Sequence, residues 1–228
     1  MANFINELIK SNRQKAFRPA THKELPDEWY SRFSTWGEGL YYANIQSKND
    51  SLVARLISKY SKGLTHTIAI LYSENLQAYF SEEEWLRVVL SWNFYYGGTR
   101  PLDSTIKVLV LASANESRID VCDFSVYRKR HLSIRRTNIT MFGITKIIAY
   151  LVSRLRQPYD YTGLAGWLLY KTCAFFGFLD DPEADFCSEI VYDGFKKGDY
   201  LIATSGNPSP ANREDYEKGR IVYTNLEY

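Results

Sequence analysis

The chain has 228 residues, of which 45% are hydrophobic and 24% are charged, a composition typical of one folded domain with a sizeable core. The formal net charge is only +2, which argues against a strongly basic surface for nucleic acid. We therefore expect a globular domain that does not bind nucleic acid.

Cysteine and histidine usage argues against disulfides, metals and bound cofactors. An odd number of cysteines without close pairs does not suggest a disulfide framework or a zinc site. These residues are Cys122, Cys173 and Cys187, and the histidines are His22, His66 and His131. No glycine-rich phosphate loop is present either. The sequence therefore predicts neither a metal nor a cofactor.

The N-terminal residues lack an apolar run of signal-peptide length. The longest apolar segment, residues 164–179, is interrupted by Gly166, Lys171 and Gly177, which favours a buried helix over a membrane span. We expect synthesis in the cytoplasm without a cleaved export signal. If the chain is viral, we expect it to act in the virion or the host cell.

The first predicted elements follow a polar N-terminal arm. Residues 1–37 carry mixed charge and two prolines, and the domain proper is expected at 38–228. A strand is predicted at 40–45. Apolar residues at helical spacing then predict a helix at 51–60, and a β-branched run predicts a strand at 65–72.

The middle of the chain predicts one helix and a small sheet. Ser81 is placed to cap a helix over 82–93. Apolar runs at 106–112, 119–124 and 125–134 predict three strands, which we expect to pair as a small antiparallel sheet.

The last third predicts mainly helices. Apolar periodicity indicates helices at 139–156, 162–176 and 188–195, followed by a late strand at 220–223. The predicted fold class is α+β, with a small antiparallel sheet packed against helices.

Cys187 is the first candidate for chemistry. It lies in Phe186-Cys187-Ser188-Glu189, where a loop enters a predicted helix. The N–H groups and dipole of a helix start favour the thiolate, the nucleophilic form of cysteine. The alternative is a small buried hydrophobic residue.

His66 is the second candidate. It stands at the start of a predicted strand, and imidazole, with a pKa near neutrality, can accept a thiol proton and return it to a leaving group. A structural histidine is the alternative. A third feature is the turn Pro158-Tyr159, with Asp160 placed to cap the next predicted helix.

Together these motifs resemble the NlpC/P60 superfamily of papain-like cysteine hydrolases. Pro158-Tyr159 followed by Phe186-Cys187-Ser188-Glu189 is similar to the family's cysteine motif, and Ser209-Pro210 to its closing turn. His66 precedes Cys187, which is the order of the circularly permuted YiiX/YebB-like and LRAT-like members. The resemblance spans residues 38–212 and implies a permuted papain-like fold.

The resemblance also implies further site residues. A polar residue on the strand after the histidine strand orients the imidazole in this family, and Asp120 is the nearest match, with Asp123 and Glu116 as alternatives. Tyr159 would supply an aromatic hydroxyl beside the nucleophile. Phe186 and Glu189 depart from the Asp and Gly of standard peptidoglycan hydrolases in the family.

The expected function is a thiol hydrolase of the cysteine peptidase or amidase kind, or an acyltransferase. Its substrate would be a peptide, another amide, or a lipid-like acyl thioester or ester. The alternative is a catalytically inactive binding or structural protein, such as a viral assembly component, on the same fold. The sequence does not indicate an oligomeric state.

Overall fold

The protein is described from a computed structural model that covers residues 27–46, 64–115, 118–127, 130–158, 187–202 and 220–224. It has an α+β fold, in which helices pack on a six-stranded antiparallel sheet. The described helices are α1 (Asp27–Trp36), α2 (Glu82–Tyr95), α3 (Met141–Ser153) and α4 (Cys187–Lys197). The strands are β1 (Gly39–Gln46), β2 (Leu64–Tyr72), β3 (Val108–Asn115), β4 (Arg118–Asp123), β5 (His131–Arg136) and β6 (Arg220–Thr224).

The sheet has the strand order β4-β3-β2-β1-β5-β6. Strand β1 is therefore central, with β2 on one side and β5 on the other, both antiparallel to it. Its residues are nearly all buried, because helices cover both faces of the sheet here. This explains why β1 reads as a continuous apolar run instead of an alternating one.

Each face of the sheet is covered by a different helix. On one face, Phe33 of α1 contacts the rings of Tyr41 and Tyr72 at centroid distances of 5.4 and 5.8 Å. On the other face, Phe195 of α4 contacts Tyr42 at 5.7 Å. Helix α4 packs on β2 and β3, beside α3.

Helix α2 protects the edge strand β4. The Val121 N–H donates to Ser91 Oγ at 3.1 Å, and the Asp123 N–H donates to the Tyr96 hydroxyl at 3.0 Å. Farther along β4, the Ile119 N–H donates to the Gln157 carbonyl at 3.2 Å. These bonds occupy donors that an open sheet edge would present to other chains.

Most predicted elements in the described ranges are confirmed with small shifts of their ends. Helix α2 begins with the predicted cap, where Ser81 Oγ accepts from the Glu84 N–H and the Glu84 carboxylate accepts from the Ser81 N–H. This reciprocal capping box fixes the helix start. The predicted helices at 51–60 and 162–176 lie outside the described residues.

Three expectations in the described ranges differ from the structure. Residues 27–36 of the expected arm form helix α1, and its Phe33 is fully buried. Residues 124–127 form a 3-10 helix and not a strand, because the Asp123 carboxylate accepts the Ser125 N–H and turns the chain. Finally, β5 pairs with β1 and β6, so it does not extend the β3-β4 pair.

None of the described helices is long and apolar enough to cross a lipid bilayer.

Candidate functional site

Cys187 is the first residue of helix α4. The helix is amphipathic, because Ile190, Val191 and Phe195 are fully buried against the sheet. Its last turn carries Lys196 and Lys197, which complement the helix dipole. The backbone therefore places Cys187 where the sequence predicted it, at a helix start, with the helix anchored by its apolar face.

His66 lies in β2, the strand on which α4 packs. It is opposite Ile45 of β1, and it is the last residue in the regular register of this strand pair. Beyond it, Gln46 is opposite Leu64, so one residue of β2 is left over and a β-bulge interrupts the pairing. His66 thus stands at the irregular start of the strand.

The next residue of β2, Thr67, lies on the sheet face that α4 covers. It is fully buried, and its hydroxyl donates to Asn44 Oδ1 at 3.0 Å. Asn44 alternates along β1 in step with Tyr42, which contacts Phe195 of α4. In a regular strand, neighbouring positions lie on opposite faces of the sheet, so position 66 would lie on the face opposite to that of Thr67.

Asp120 is fully buried in β4. Its carboxylate accepts a hydrogen bond from Ser91 Oγ at 3.0 Å and one from Arg156 Nη1 at 3.1 Å. Strand β3 separates β4 from β2 in the sheet. These two contacts of Asp120 thus come from α2 and from the segment after α3.

The alternatives for the third residue fall in different places. Asp123 is buried and forms an ion pair with Arg100, whose guanidinium lies over the rings of Trp92 and Tyr96 at 5.3 Å. Glu116 and Tyr159 lie outside the described residues. Pro158, which precedes Tyr159, forms a bridge with Arg118 of β4.

Cys122 is the other described cysteine, and it is fully buried. Burial raises the pKa of its thiol far above the usual range, with Asp123 and Asp120 nearby adding to the shift. Ser113 and Tyr127, whose hydroxyls are 2.7 Å apart, lie in the same buried region. The thiol of Cys122 is therefore protonated at neutral pH, which makes it an unreactive core group.

Sequence reasoning missed the polar partners that the fold brings to these carboxylates. Arg156 is 36 residues from Asp120, and Arg100 is 23 residues from Asp123. No local pattern connects residues so far apart. Among the described residues, no three Cys, His, Asp or Glu side chains are grouped closely enough to bind a metal ion.

Comparison with known proteins does not assign the chain to a family. Its sequence matches no protein-family model, and no curated protein shows significant similarity to it.

Proposed function

We propose that this protein is a cysteine-dependent hydrolase or acyltransferase with a permuted papain-like fold, in which Cys187 is the nucleophile and His66 the general base. One observation carries the proposal: Cys187 begins the helix that packs on the strand of His66. The motifs that resemble NlpC/P60 enzymes name the same two residues independently of this packing.

In the proposed reaction, His66 accepts the thiol proton and the Cys187 thiolate attacks a carbonyl carbon. The tetrahedral intermediate collapses as the C–N, C–S or C–O bond to the leaving group breaks, and His66 returns the proton to that group. Water, or another nucleophile in an acyltransferase, then attacks the thioester and frees Cys187. The N–H groups at the start of α4 supply hydrogen bonds to the oxyanion.

The proposal makes one demand on the strand start. His66 has to turn toward α4 at the bulge, since a strictly alternating strand assigns that face to Thr67. Bulges commonly re-aim one side chain beside an active site. The register break directly after the Ile45–His66 pair is compatible with this requirement.

Alkylation with iodoacetamide, followed by peptide mass spectrometry, tests the proposed pair. We expect Cys187 to react about tenfold faster than free cysteine at pH 7, because a larger fraction is thiolate. His66→Ala should abolish this excess, whereas the control His131→Ala should preserve it. Equal rates for Cys187 and free cysteine, with no effect of His66→Ala, would overturn the proposal.

A panel of activated esters, thioesters and peptide amides then tests catalysis. We expect one class to leave an acyl group on Cys187, detected as a mass increase that Cys187→Ala removes. If Cys187 is reactive but never acquires an acyl group, the thiolate part of the proposal stands, but the protein does not turn over these substrate classes.

A catalytically inactive binding or assembly protein on the same fold is the second candidate. The observation that favours this candidate is that His66 still pairs with Ile45 in the regular register. A regular strand would place position 66 on the face of Ile68 and not on that of Thr67. Unchanged alkylation of Cys187 in His66→Ala would support this candidate. A solution structure that places the sulfur within about 4 Å of an imidazole nitrogen would exclude it.

A further inference from the structure

Helix α2 exposes three large apolar side chains in a row. Leu86, Leu90 and Phe94 are 58, 59 and 55% exposed and are spaced four residues apart, so they lie along one side of the helix. The opposite side packs into the core through Val88 and Trp92. We call the three exposed residues the α2 stripe. An aligned apolar row on an exposed helix is typical of an interaction surface.

The two ends of the stripe carry opposite charge. Glu82 and Glu83 are exposed in the first turn of α2, and Glu83 forms an ion pair with Arg87 within the helix. At the other end, the guanidinium groups of Arg118 and Arg156 lie 6.0 and 3.2 Å from the ring centroid of Phe94. Arg118 is exposed, and Arg156 is partly neutralised by Asp120. The surface is therefore acidic, then apolar, then basic along the helix.

We propose that the α2 stripe binds a second copy of this chain, with the two α2 helices antiparallel and a two-fold axis beside Leu90. In this arrangement, Phe94 of one copy packs on Leu86 of the other. The acidic first turn of each helix then lies near Arg118 of the other copy. A parallel arrangement would place the acidic turns together, so charge favours the antiparallel one.

The size of the stripe limits the strength of the contact. Leu86 and Phe94 are eight residues apart, which corresponds to about 12 Å of helix. Three side chains and their charged rim cover only part of the ~800 Å² per partner found in standard interfaces. We therefore expect a reversible dimer whose population rises with protein concentration.

Sedimentation velocity over a concentration series of the full chain gives the first test. The wild type should shift from one to two chain masses as concentration rises, and Leu90→Glu should remain at one because it places two like charges at the axis. Phe142→Glu is the control, since Phe142 is another large apolar side chain, 69% exposed, on α3. A wild type that remains monomeric up to its solubility limit, or a Leu90→Glu variant that still dimerises, overturns the proposal.

Disulfide trapping tests the orientation and does not depend on a destabilising change. Leu90→Cys should form a covalent dimer under mild oxidation, faster than Phe142→Cys or the wild-type cysteines. A mixture of Leu86→Cys and Phe94→Cys chains should cross-link faster than either variant alone. If Leu86→Cys or Phe94→Cys cross-links faster alone than in the mixture, the antiparallel arrangement is wrong. If Leu90→Cys cross-links no faster than Phe142→Cys, the interface itself is wrong.

Discussion

Arg156 donates a hydrogen bond from Nη1 to the buried carboxylate of Asp120 at 3.1 Å. The same arginine has a φ of 71°, in the left-handed region that residues other than glycine rarely adopt. Its backbone N–H donates to the Ile119 carbonyl at 2.8 Å. The ion pair and the backbone bond together hold the chain in this turn after α3. Asp120 therefore has a structural role that does not depend on catalysis.

A double-mutant cycle measures that role. We expect Asp120→Ala to lower the free energy of unfolding by about 2–3 kcal/mol, since it leaves Arg156 and Ser91 without a buried acceptor. Arg156→Met should cost a similar amount. The double variant should cost less than the sum, because the second change removes a group that the first left unpaired. Chemical denaturation of the four proteins gives these values.

The control for this cycle is Glu83, which is 76% exposed and paired with Arg87 at 2.8 Å within α2. Glu83→Ala should change the free energy of unfolding by less than about 0.5 kcal/mol, because an exposed ion pair contributes little. Additive losses at Asp120 and Arg156 would show that the two side chains act separately.

The same residue allows a test of its predicted catalytic role. Asp120→Asn retains an oxygen that can accept from Ser91 but removes the negative charge. If Asp120 orients His66, this variant should slow the alkylation of Cys187 in a fully folded protein. If the carboxylate serves only the fold, the alkylation rate stays at the wild-type value while stability falls. Alkylation and denaturation measured on one preparation separate the two roles.

The burial of Cys122 and the proposed thiolate of Cys187 predict opposite labelling of these two residues. Cys122 is fully buried with a raised thiol pKa, so iodoacetamide should leave it unmodified in the native protein between pH 6 and about pH 9, and modify it after unfolding. Cys187 should react throughout this range. Peptide mass spectrometry on native and unfolded samples gives both rates. Rapid native labelling of Cys122 would contradict the packing around β4.

Local sequence signals predicted the elements that local physics controls. Ser81 predicted the start of α2, and the β-branched run predicted β2. The order of the strands depends on pairing between distant residues, such as Tyr42 with Arg135, for which a single sequence carries no local signal. This is why β5 was expected beside β4 and lies beside β1 instead.

For the candidate site too, the sequence predicted local structure but not contacts between distant residues. The sequence predicted that Cys187 would start a helix, and it does. It could not predict the bulge beside His66, because a bulge is set by the register in which β1 and β2 pair, and here one residue of β2 is left over. Nor could it predict that Asp120 would meet Arg156, since the turn that aims this arginine forms only when the segment after α3 pairs with β4.

Glu74 provides a prediction about pH. The Tyr72 hydroxyl donates to its carboxylate at 2.6 Å and Lys107 Nζ lies 3.2 Å from it, so the pKa of Glu74 is held below its usual value. A carboxyl group whose pKa is lower in the folded than in the unfolded state stabilises the fold at a pH above its unfolded-state pKa. This stabilisation is lost as the pH falls through the folded-state pKa. Tyr72→Phe removes this hydrogen bond, which is the largest cause of the lowered pKa, so the pKa of Glu74 should rise toward that of a free glutamate.

Carboxyl carbon NMR titration of Glu74 in the two proteins measures this change. Because Glu74 is largely exposed, the effect on stability should be small and should appear only in acid. Lys107→Met should also raise this pKa, because it removes both a hydrogen bond to the carboxylate and a nearby positive charge. An unchanged pKa in Tyr72→Phe would contradict the hydrogen bond.

The close approach of α3 and α4 predicts a steric effect at Gly198. A Cβ added there would lie 2.5 Å from Ile147 Cγ1 and 2.8 Å from the Gly143 carbonyl oxygen, and a backbone oxygen cannot move aside alone. Gly198→Ala should therefore lower the free energy of unfolding by about 1–3 kcal/mol, the usual cost of overpacking. Because α4 begins with Cys187, a displacement of α4 away from α3 should also change the alkylation rate of Cys187.

Gly194, one turn earlier in α4, is the matched control. A Cβ there would lie 3.0 Å from Leu151 Cδ2 and 3.2 Å from its Cγ, so it would meet side-chain atoms and no backbone atom. Alanine also favours the helix over glycine by up to about 1 kcal/mol, which offsets this crowding. Thermal or chemical denaturation should therefore show Gly194→Ala near the wild type and Gly198→Ala clearly below it. Equal stabilities for the two variants would mean that α3 and α4 are farther apart than Gly143 and Gly198 indicate.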